Sequence, residues 1–417
     1  MSDVKNLIKA KKPWEVEGVE WKEVRLGEIA KEIKSGGTPS RKNKEYWENG
    51  TIPWVKIKDI PEEGYVNDTE EKITEKGLNN SSAKLLPKGT ILFTIFATIG
   101  HVGILNIEAT TNQAIAGIIP KKEYDNKYLY WVLLKFGQEL KERGRGGAQN
   151  NVNLTFLKNL KIPIPFRNGK PDLETQKKIV EYIETNFEKI DRILEKKKKE
   201  LEFLDELWES VLEHAFKPKE GEEWREVRFL DKIDLLKGKK PKEVLKQKQK
   251  NALPYLTLDY FREKKIKEYI PIEENKILRV QKGDLVIIAD GSRSGELFFC
   301  DIEGVLVSTM AKLEIKEHDL SKKYVFWFLN TYFEHLNKSK YTATPHVNKN
   351  FLKNLKIPLP FHNNQPDLEK QKEIAQYLDN VYQKIKTLKE KIQNQIIQLE
   401  ELKESILDEV FRHDKAR

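Results

Sequence analysis

One segment of this chain occurs twice. Phe156 to Tyr182 reads FLKNLKIPIPFRNGKPDLETQKKIVEY and Phe351 to Tyr377 reads FLKNLKIPLPFHNNQPDLEKQKEIAQY, offset by 195 residues without a gap, with 19 of 27 positions identical. Chance does not produce such a match, so the chain consists of two units on a shared scaffold. The likeness continues to Ala215-Phe216-Lys217 and Val410-Phe411-Arg412. Ahead of each copy it is fainter: Trp21–Arg25 resembles Trp224–Arg228, Ile52–Val55 resembles Leu253–Leu256, Lys88-Gly89 resembles Lys282-Gly283, and Tyr128–Trp131 resembles Tyr324–Trp327. The expected order is an N-terminal extension (1–20), a first variable module (21–155), a first repeated helix region (156–217), a second module (218–350) and a second helix region (351–417).

Lys161-Ile-Pro-Ile-Pro165 and Lys356-Ile-Pro-Leu-Pro360 cannot be helical, because alternate prolines remove donors and hold the backbone extended. Each reads as an extended exit from its module. Asp172 and Asp367 then stand where an N-cap belongs, with Glu174 and Glu369 in the first turn, where the helix dipole favours negative charge. This capping reading is preferred to a half nuclease motif for Pro171-Asp172-Leu-Glu174, since the pattern recurs at Pro366-Asp367-Leu-Glu369.

A long helix should follow each cap. The first carries the apolar stripe Ile179, Ile183, Phe187, Ile190, Leu194, Leu201, Leu204, Trp208, Val211 and Ala215. The second carries Leu378, Val381, Ile385, Leu388, Ile392, Ile396, Leu399, Leu402, Ile406 and Val410. These are heptad-like seams that need a partner. Pairing with each other, antiparallel within one chain, is favoured over a dimer between chains, because a folded module between the copies carries the return. Trp208 falls on the seam; core packing is favoured there over contact with another subunit.

The modules read as mixed α/β. Strands are expected at Thr51–Ile57, Thr90–Ile95, Gly103–Ile107, Ala116–Pro120, Leu285–Ala289 and Glu296–Cys300, with helices at Asp125–Gly137 and Leu320–Leu336. The fold class is therefore α+β: two mixed α/β modules joined by two long helices paired as an antiparallel coiled coil, with pseudo-two-fold symmetry.

Lys and Arg outnumber Asp and Glu by 75 to 66, a net charge of +9 that suits a polyanionic partner. A Lys- and Glu-rich surface is also what heat-adapted proteins carry. Cys300 is the only cysteine, which excludes an internal disulfide and a cysteine-based metal site and fits a reducing cytoplasm. No signal peptide is visible, and the most apolar stretch, Gly89–Leu105, reads as two buried strands and a turn. No Walker A sequence and no Asn-Pro-Pro-Tyr or Asp-Pro-Pro-Tyr occurs, and the seven histidines lack metal-ligand spacing. No catalytic residue and no metal site is expected.

Over nearly its whole length the chain resembles the specificity subunits of type I restriction-modification systems. The resemblance is carried by Trp21-Lys-Glu-Val-Arg-Leu-Gly27, Gly36-Gly-Thr-Pro-Ser40, Thr98-Ile-Gly-His-Val-Gly103, Asn112-Gln113, Gly146-Gly-Ala-Gln149, Leu157–Pro163 and Glu174-Thr-Gln-Lys-Lys-Ile179, in that order, with the duplicated helix. The second module departs from the pattern, with Lys237-Gly-Lys-Lys-Pro241 and Ser308-Thr-Met310 in place of the first module's strings. The resemblance implies a non-catalytic subunit whose modules are target recognition domains for the two halves of a split, asymmetric DNA target. It also implies that the helices space the modules and dock two methyltransferase subunits, with restriction subunits joining them. S-adenosylmethionine, ATP and magnesium would then be bound by those partners. A coiled-coil scaffold whose modules bind proteins is the rival reading.

Residues for phosphate or base contact should be polar, cationic or amide-bearing loop residues. In the first module these are Thr38, Ser40, Arg41, Lys42, Lys56, Lys58, Thr98, His101, Gln113, Arg143, Arg145 and Gln149, with Gln113 and Gln149 suited to adenine. In the second they are Lys237, Lys239, Lys240, Thr257, Asp259, Tyr260, Ser292, Arg293, Thr309, Tyr341 and Thr342. Gly36-Gly37 is either a turn or a place where backbone approaches phosphate closely.

Overall fold

Alternate prolines decide how each repeated segment is used. In the computed structural model, which describes residues 12–144, 152–273, 277–338 and 346–411, the proline runs are paired strands rather than bare exits. Lys161–Arg167 pairs antiparallel with Glu20–Arg25, and Lys356–His362 with Glu223–Arg228. A strand accepts proline where the missing N–H would face away from its partner. The Pro163 and Pro165 carbonyls point that way: one accepts from the Tyr128 hydroxyl (2.6 Å), the other from the Asp172 amide (2.8 Å). Pro358 and Pro360 accept in the same way from Tyr324 (2.5 Å) and Asp367 (2.8 Å). The prolines thus leave the ladder intact and anchor each module to the start of its long helix.

Those helices span Leu173–Ala215 and Leu368–Phe411. Asp172 caps the first, accepting from the Thr175 amide (3.1 Å) and hydroxyl (2.8 Å) and from Arg167 (2.9 Å). Asp367 caps the second through the Lys370 amide (2.9 Å). One turn in, Gln176 and Gln371 are fully buried, and their side-chain oxygens accept from the amides of Asp125 and Ser321 (2.9 Å each). These glutamines lock each long helix to the start of a module helix.

The chain forms two compact units, Met1–Lys198 with Gln393–Arg417, and Lys199–Ile392, so each unit holds part of both long helices. In the first, Lys403 pairs with Asp191 (2.7 Å) and its ammonium lies 4.8 Å over the Phe187 ring. In the second, Lys389 pairs with Asp205, and Trp208 packs on Tyr382, centroids 5.4 Å apart. Later residues of one helix meet earlier residues of the other, so the pairing is antiparallel. Trp208 is 8% exposed and also packs edge-on against Trp327 (5.3 Å), which makes it a core residue. Several seam positions differ from the heptad expectation, two of them most plainly. Leu212 rather than Val211 is fully buried, and Leu388 is 47% exposed beside Lys389, which pairs with Asp205.

In the first module a five-stranded sheet runs in the order Ala30–Ser35, Ile115–Pro120, Ile91–Thr94, Val102–Leu105, Tyr65–Val66. A three-stranded sheet sets Ile52–Val55 between Glu71–Ile73 and Thr110–Thr111. The second module has a four-stranded sheet, Ile233–Lys237, Met310–Ile315, Leu285–Ile288, Leu297–Phe299, and another built on Ala252–Leu256. The module helices, Asn126–Gly144 and Lys322–Lys338, extend beyond the sequence expectation at their C-terminal ends. Cys300 is buried, which pushes its thiol up to about 12 and suppresses thiolate chemistry. Among the described residues no helix is long and apolar enough to cross a membrane, and no group of three or more His, Cys, Asp or Glu could hold a metal ion.

Candidate nucleic-acid interface

Strand direction brings the loop residues of the first module together. Strands ending at Ser35 and Thr94 both run antiparallel to the one starting at Ile115, and Val55 and Thr111 end side by side in a parallel pair. The connections that follow all emerge at one end of the sheets. Backbone bonds knit them: Gly37 N donates to Thr111 O (2.8 Å), Asn112 N to Val55 O (3.1 Å) and Ile95 N to Ala114 O (2.8 Å). Gly36 and Gly37 are where that knitting is tightest. A Cβ on Gly36 would stand 2.0 Å from the Thr111 carbonyl oxygen, and one on Gly37 2.1 Å from the Ser82 hydroxyl. The close approach made by these glycines is therefore to the protein's own backbone and loop.

On this platform Thr38 donates to the Gln113 side-chain oxygen (2.6 Å), so two of the expected residues form one exposed pair. Ser40 is exposed, and its carbonyl accepts from Trp47 (3.2 Å). Arg41 stacks on Trp47, 3.7 Å from the ring centre, and clamps Glu71 through two bonds of 2.9 and 2.7 Å. Lys56 pairs with Glu70 (2.6 Å) and Glu71 (3.1 Å), and Lys58 also meets Glu70. Three cations thus face two carboxylates. The Arg41 hydrogen bond, opposed by partial burial and helped by Lys56, holds Glu71 down at about 2.

Lys42 is exposed and makes no ion pair among the described residues. Thr98 is exposed, with its carbonyl held by the Thr94 hydroxyl. His101 is half-buried and donates from Nε2 to the Pro61 carbonyl (2.8 Å), a structural bond. Arg143 lies near the end of the Asn126–Gly144 helix, and its side chain falls outside the described residues, as do Arg145 and Gln149.

The second module repeats the platform with other side chains. Gly238 N donates to Met310 O (2.9 Å) as Gly36 N does to Ile115 O (3.2 Å), and a Cβ on Gly238 would stand 2.2 Å from the Val307 carbonyl oxygen. Val307 N donates to Leu256 O as Asn112 N does to Val55 O. By these bonds Lys240 stands where Thr38 stands, and Ser308 where Gln113 stands. Thr309 is exposed, but it is the counterpart of Ala114: its carbonyl takes the amides of Ala289 (2.8 Å) and Asp290 (3.0 Å).

Lys237 pairs with Asp290 (2.5 Å), while Lys239, Lys240 and Arg293 are exposed without an ion pair among the described residues. Ser292 is exposed beside Arg293. Thr257 leads into the short helix Leu258–Glu263, and Asp259 on that helix is tied to Lys267. Tyr260 is a correction to the sequence reading: its ring is 3% exposed in a core with Leu256, Val286 and Met310, and its hydroxyl bonds Asp301. The short helix turns it inward, which an apparent loop sequence does not reveal. Tyr341 and Thr342 lie outside the described residues.

Two residues of these loops were not among the expected ones. Ser308 was hidden because the loop that matches Asn112-Gln113 keeps its backbone bonds but not its side chains. Phe96, 56% exposed at the connection after Thr94, was hidden by the apolar run before it.

The model of the type I restriction modification DNA specificity domain matches residues 18–203 and again 221–398. The MjaIX specificity subunit of Methanocaldococcus jannaschii is 34% identical over 281 residues, 62% of this chain and 61% of the relative. The EcoR124I/EcoR124II specificity subunit of Escherichia coli is 32% identical over 202 residues, 45% of this chain and 48% of the relative. These matches span between about half and three fifths of the relatives' length. In fold, the HsdS subunit from Thermoanaerobacter tengcongensis superposes with a TM-score of 0.63 at 20% identity, covering 96% of this chain and 98% of its own. A chain from a structure of a type I restriction-modification system, solved to explain its assembly and conformational transition, gives 0.74 at 21%, covering 96% and 99%. Both domain matches run from an opening strand pair, through a loop platform, into a long helix, and together they cover most of the sequence: the chain belongs to the family of type I restriction-modification DNA specificity domains.

Proposed function

We propose that this chain is the non-catalytic specificity subunit of a type I restriction-modification complex, and that its two modules, 21–155 and 218–350, are target recognition domains for the unlike halves of one duplex target. The observation that carries this reading is a single loop platform built twice with different side chains: Thr38 and Gln113 in one module, Lys240 and Ser308 in the other. The shared backbone sets the approach to a duplex, and the exchanged side chains set which base edges are accepted. Exposed cations without ion pairs among the described residues, Lys42 in the first module and Lys239, Lys240 and Arg293 in the second, supply phosphate contacts.

On this reading the long helices space the modules and dock two methyltransferase subunits, which restriction subunits join, in the cytoplasm. S-adenosylmethionine, ATP and magnesium are held by those partners.

The test is a salt titration of duplex binding by the full chain with its methyltransferase subunit, alongside methylation mapping of the host genome. Affinity should fall log-linearly with salt, and Lys42→Ala or Lys240→Ala should each lower the slope by about 1. Mapping should return two unlike half-sites at a fixed gap. Absent or salt-insensitive binding would transfer the modules to protein partners.

A further inference from the structure

The two copies of the repeated helix differ in what covers them. In the first unit, Ile179, Tyr182, Ile406 and Val410 are 7% exposed or less. Trp14 covers them from the segment ahead of the module: it is buried, sits edge-on to Tyr182 at 5.0 Å, and is flanked by Lys12, which pairs with Glu409. In the second unit the corresponding residues are Ile374, Tyr377, Val211 and Ala215. None is fully buried, and Tyr377 is 53% exposed.

These residues line an open cleft of about 490 Å³, bounded also by Ser210, His214 and Trp224. Counting back from the matching strands Glu20–Arg25 and Glu223–Arg228, the residue in the place of Trp14 is Lys217. Its ammonium is paired with Glu213 (2.5 Å) at the cleft edge. The neighbouring Phe216 is occupied in the module core against Tyr324 and Phe328. Among the described residues no aromatic side chain of the second unit fills the seat.

We propose that this cleft receives an aromatic side chain from a partner protein, carried on a short segment with a carboxylate where Trp14 has Lys12. The apolar walls are the counterparts of those that the same chain covers with an indole in its other copy. Charge selects the flanking group. Glu409, which holds Lys12, is replaced at the equivalent place by His214, whose Nδ1 is committed to the Ser210 carbonyl (2.7 Å). On the rim, Glu222 and Glu373 are already paired with Lys370, whereas Lys219 has no ion pair among the described residues. Among the described residues a cation here meets no carboxylate without an ion pair, whereas an anion meets Lys219. A second copy donating its own Lys12–Val16 segment would bring the wrong charge. The proposal does not depend on DNA reading by the modules.

The probes are the pentapeptide Glu-Pro-Trp-Glu-Val, capped at both ends, and its Lys-Pro-Trp-Glu-Val counterpart, titrated against the full chain by ligand-observed NMR. The acidic peptide should bind saturably with a Kd near the millimolar range, as suits one anchor side chain, and at least about fivefold more tightly than the basic one. Tyr377→Ala, at an exposed position that the fold does not need, and Lys217→Trp, which fills the seat from within, should each abolish binding, while Trp14→Ala should not. No saturable binding, or binding indifferent to Tyr377→Ala and Lys217→Trp, overturns the proposal. Equal or tighter binding of the basic peptide overturns it in favour of a second copy. Duplex binding in the same variants reports separately on the modules.

Discussion

At the residue scale, the cations of the first module divide by what already holds them. Arg41, Lys56 and Lys58 face Glu70 and Glu71, while Lys42 has no such partner. Residue type does not separate these groups, because the carboxylates arrive from elsewhere in the chain, Glu71 from a strand thirty positions after Arg41. Glu71 shows the consequence. Its carboxyl is drawn from an ordinary 4.5 to about 2, chiefly by the Arg41 hydrogen bond. A carboxylate with a depressed value contributes its stabilisation in full above 4.5 and loses it as pH falls toward 2. Glu71→Gln should therefore be less stable than the parent by about 1 kcal/mol at neutral pH, a figure held down by solvent screening. In urea titrations the gap should narrow steadily from pH 5 to pH 3. A gap independent of pH would show that the clamp rests on Arg41 stacking on Trp47 rather than on charge.

At the scale of elements, the long helices were legible because their signals are local: an aspartate cap, an acidic first turn and unbroken apolar periodicity. The six module strands singled out in the sequence lie within a residue or two of their expected bounds for the same reason, whereas Ala30–Ser35, Ile233–Lys237 and Met310–Ile315 were not singled out. What escaped depends on tertiary placement. The proline runs carry no local sign that Tyr128 and Asp172 will take their outward carbonyls, so they read as exits and not as strands. Tyr260 looks like a loop residue until a six-residue helix turns it into the core. The two caps also look alike in sequence but differ in strength. Asp172 receives three hydrogen bonds, from the Thr175 amide and hydroxyl and from Arg167, whereas Lys370 at the place of Thr175 leaves Asp367 with the amide alone. Asp172→Ala should cost about 2 kcal/mol and Asp367→Ala about 1. Denaturation midpoints of the two variants check the order; equal losses would mean that the threonine hydroxyl and Arg167 add nothing beyond the amide bond.

At the scale of the whole molecule, the ruler role proposed for the helices makes a numerical demand. Lys403 meets Asp191 and Lys389 meets Asp205, so each step forward along the first helix is matched by an equal step back along the second. On the ruler reading, Glu195–Leu201 and Gln393–Leu399 are the heptads whose numbering follows from those two pairs. Removing both preserves the apolar phase and the antiparallel partners while shortening the pair by about 10 Å. At 3.4 Å per base pair that is about three base pairs of duplex. The duplex winds by nearly a third of a turn over such a length, so affinity should drop, and the informative readout is the gap itself. Methylation mapping of a host carrying the doubly shortened chain should return the same two half-sites about three base pairs closer together. Deleting only one heptad removes the match between the helices and should abolish modification, because the leftover turn must bulge out of the pair. If instead the gap is unchanged in the double deletion, the separation of the half-sites is set within the modules and the helices serve only to hold partners.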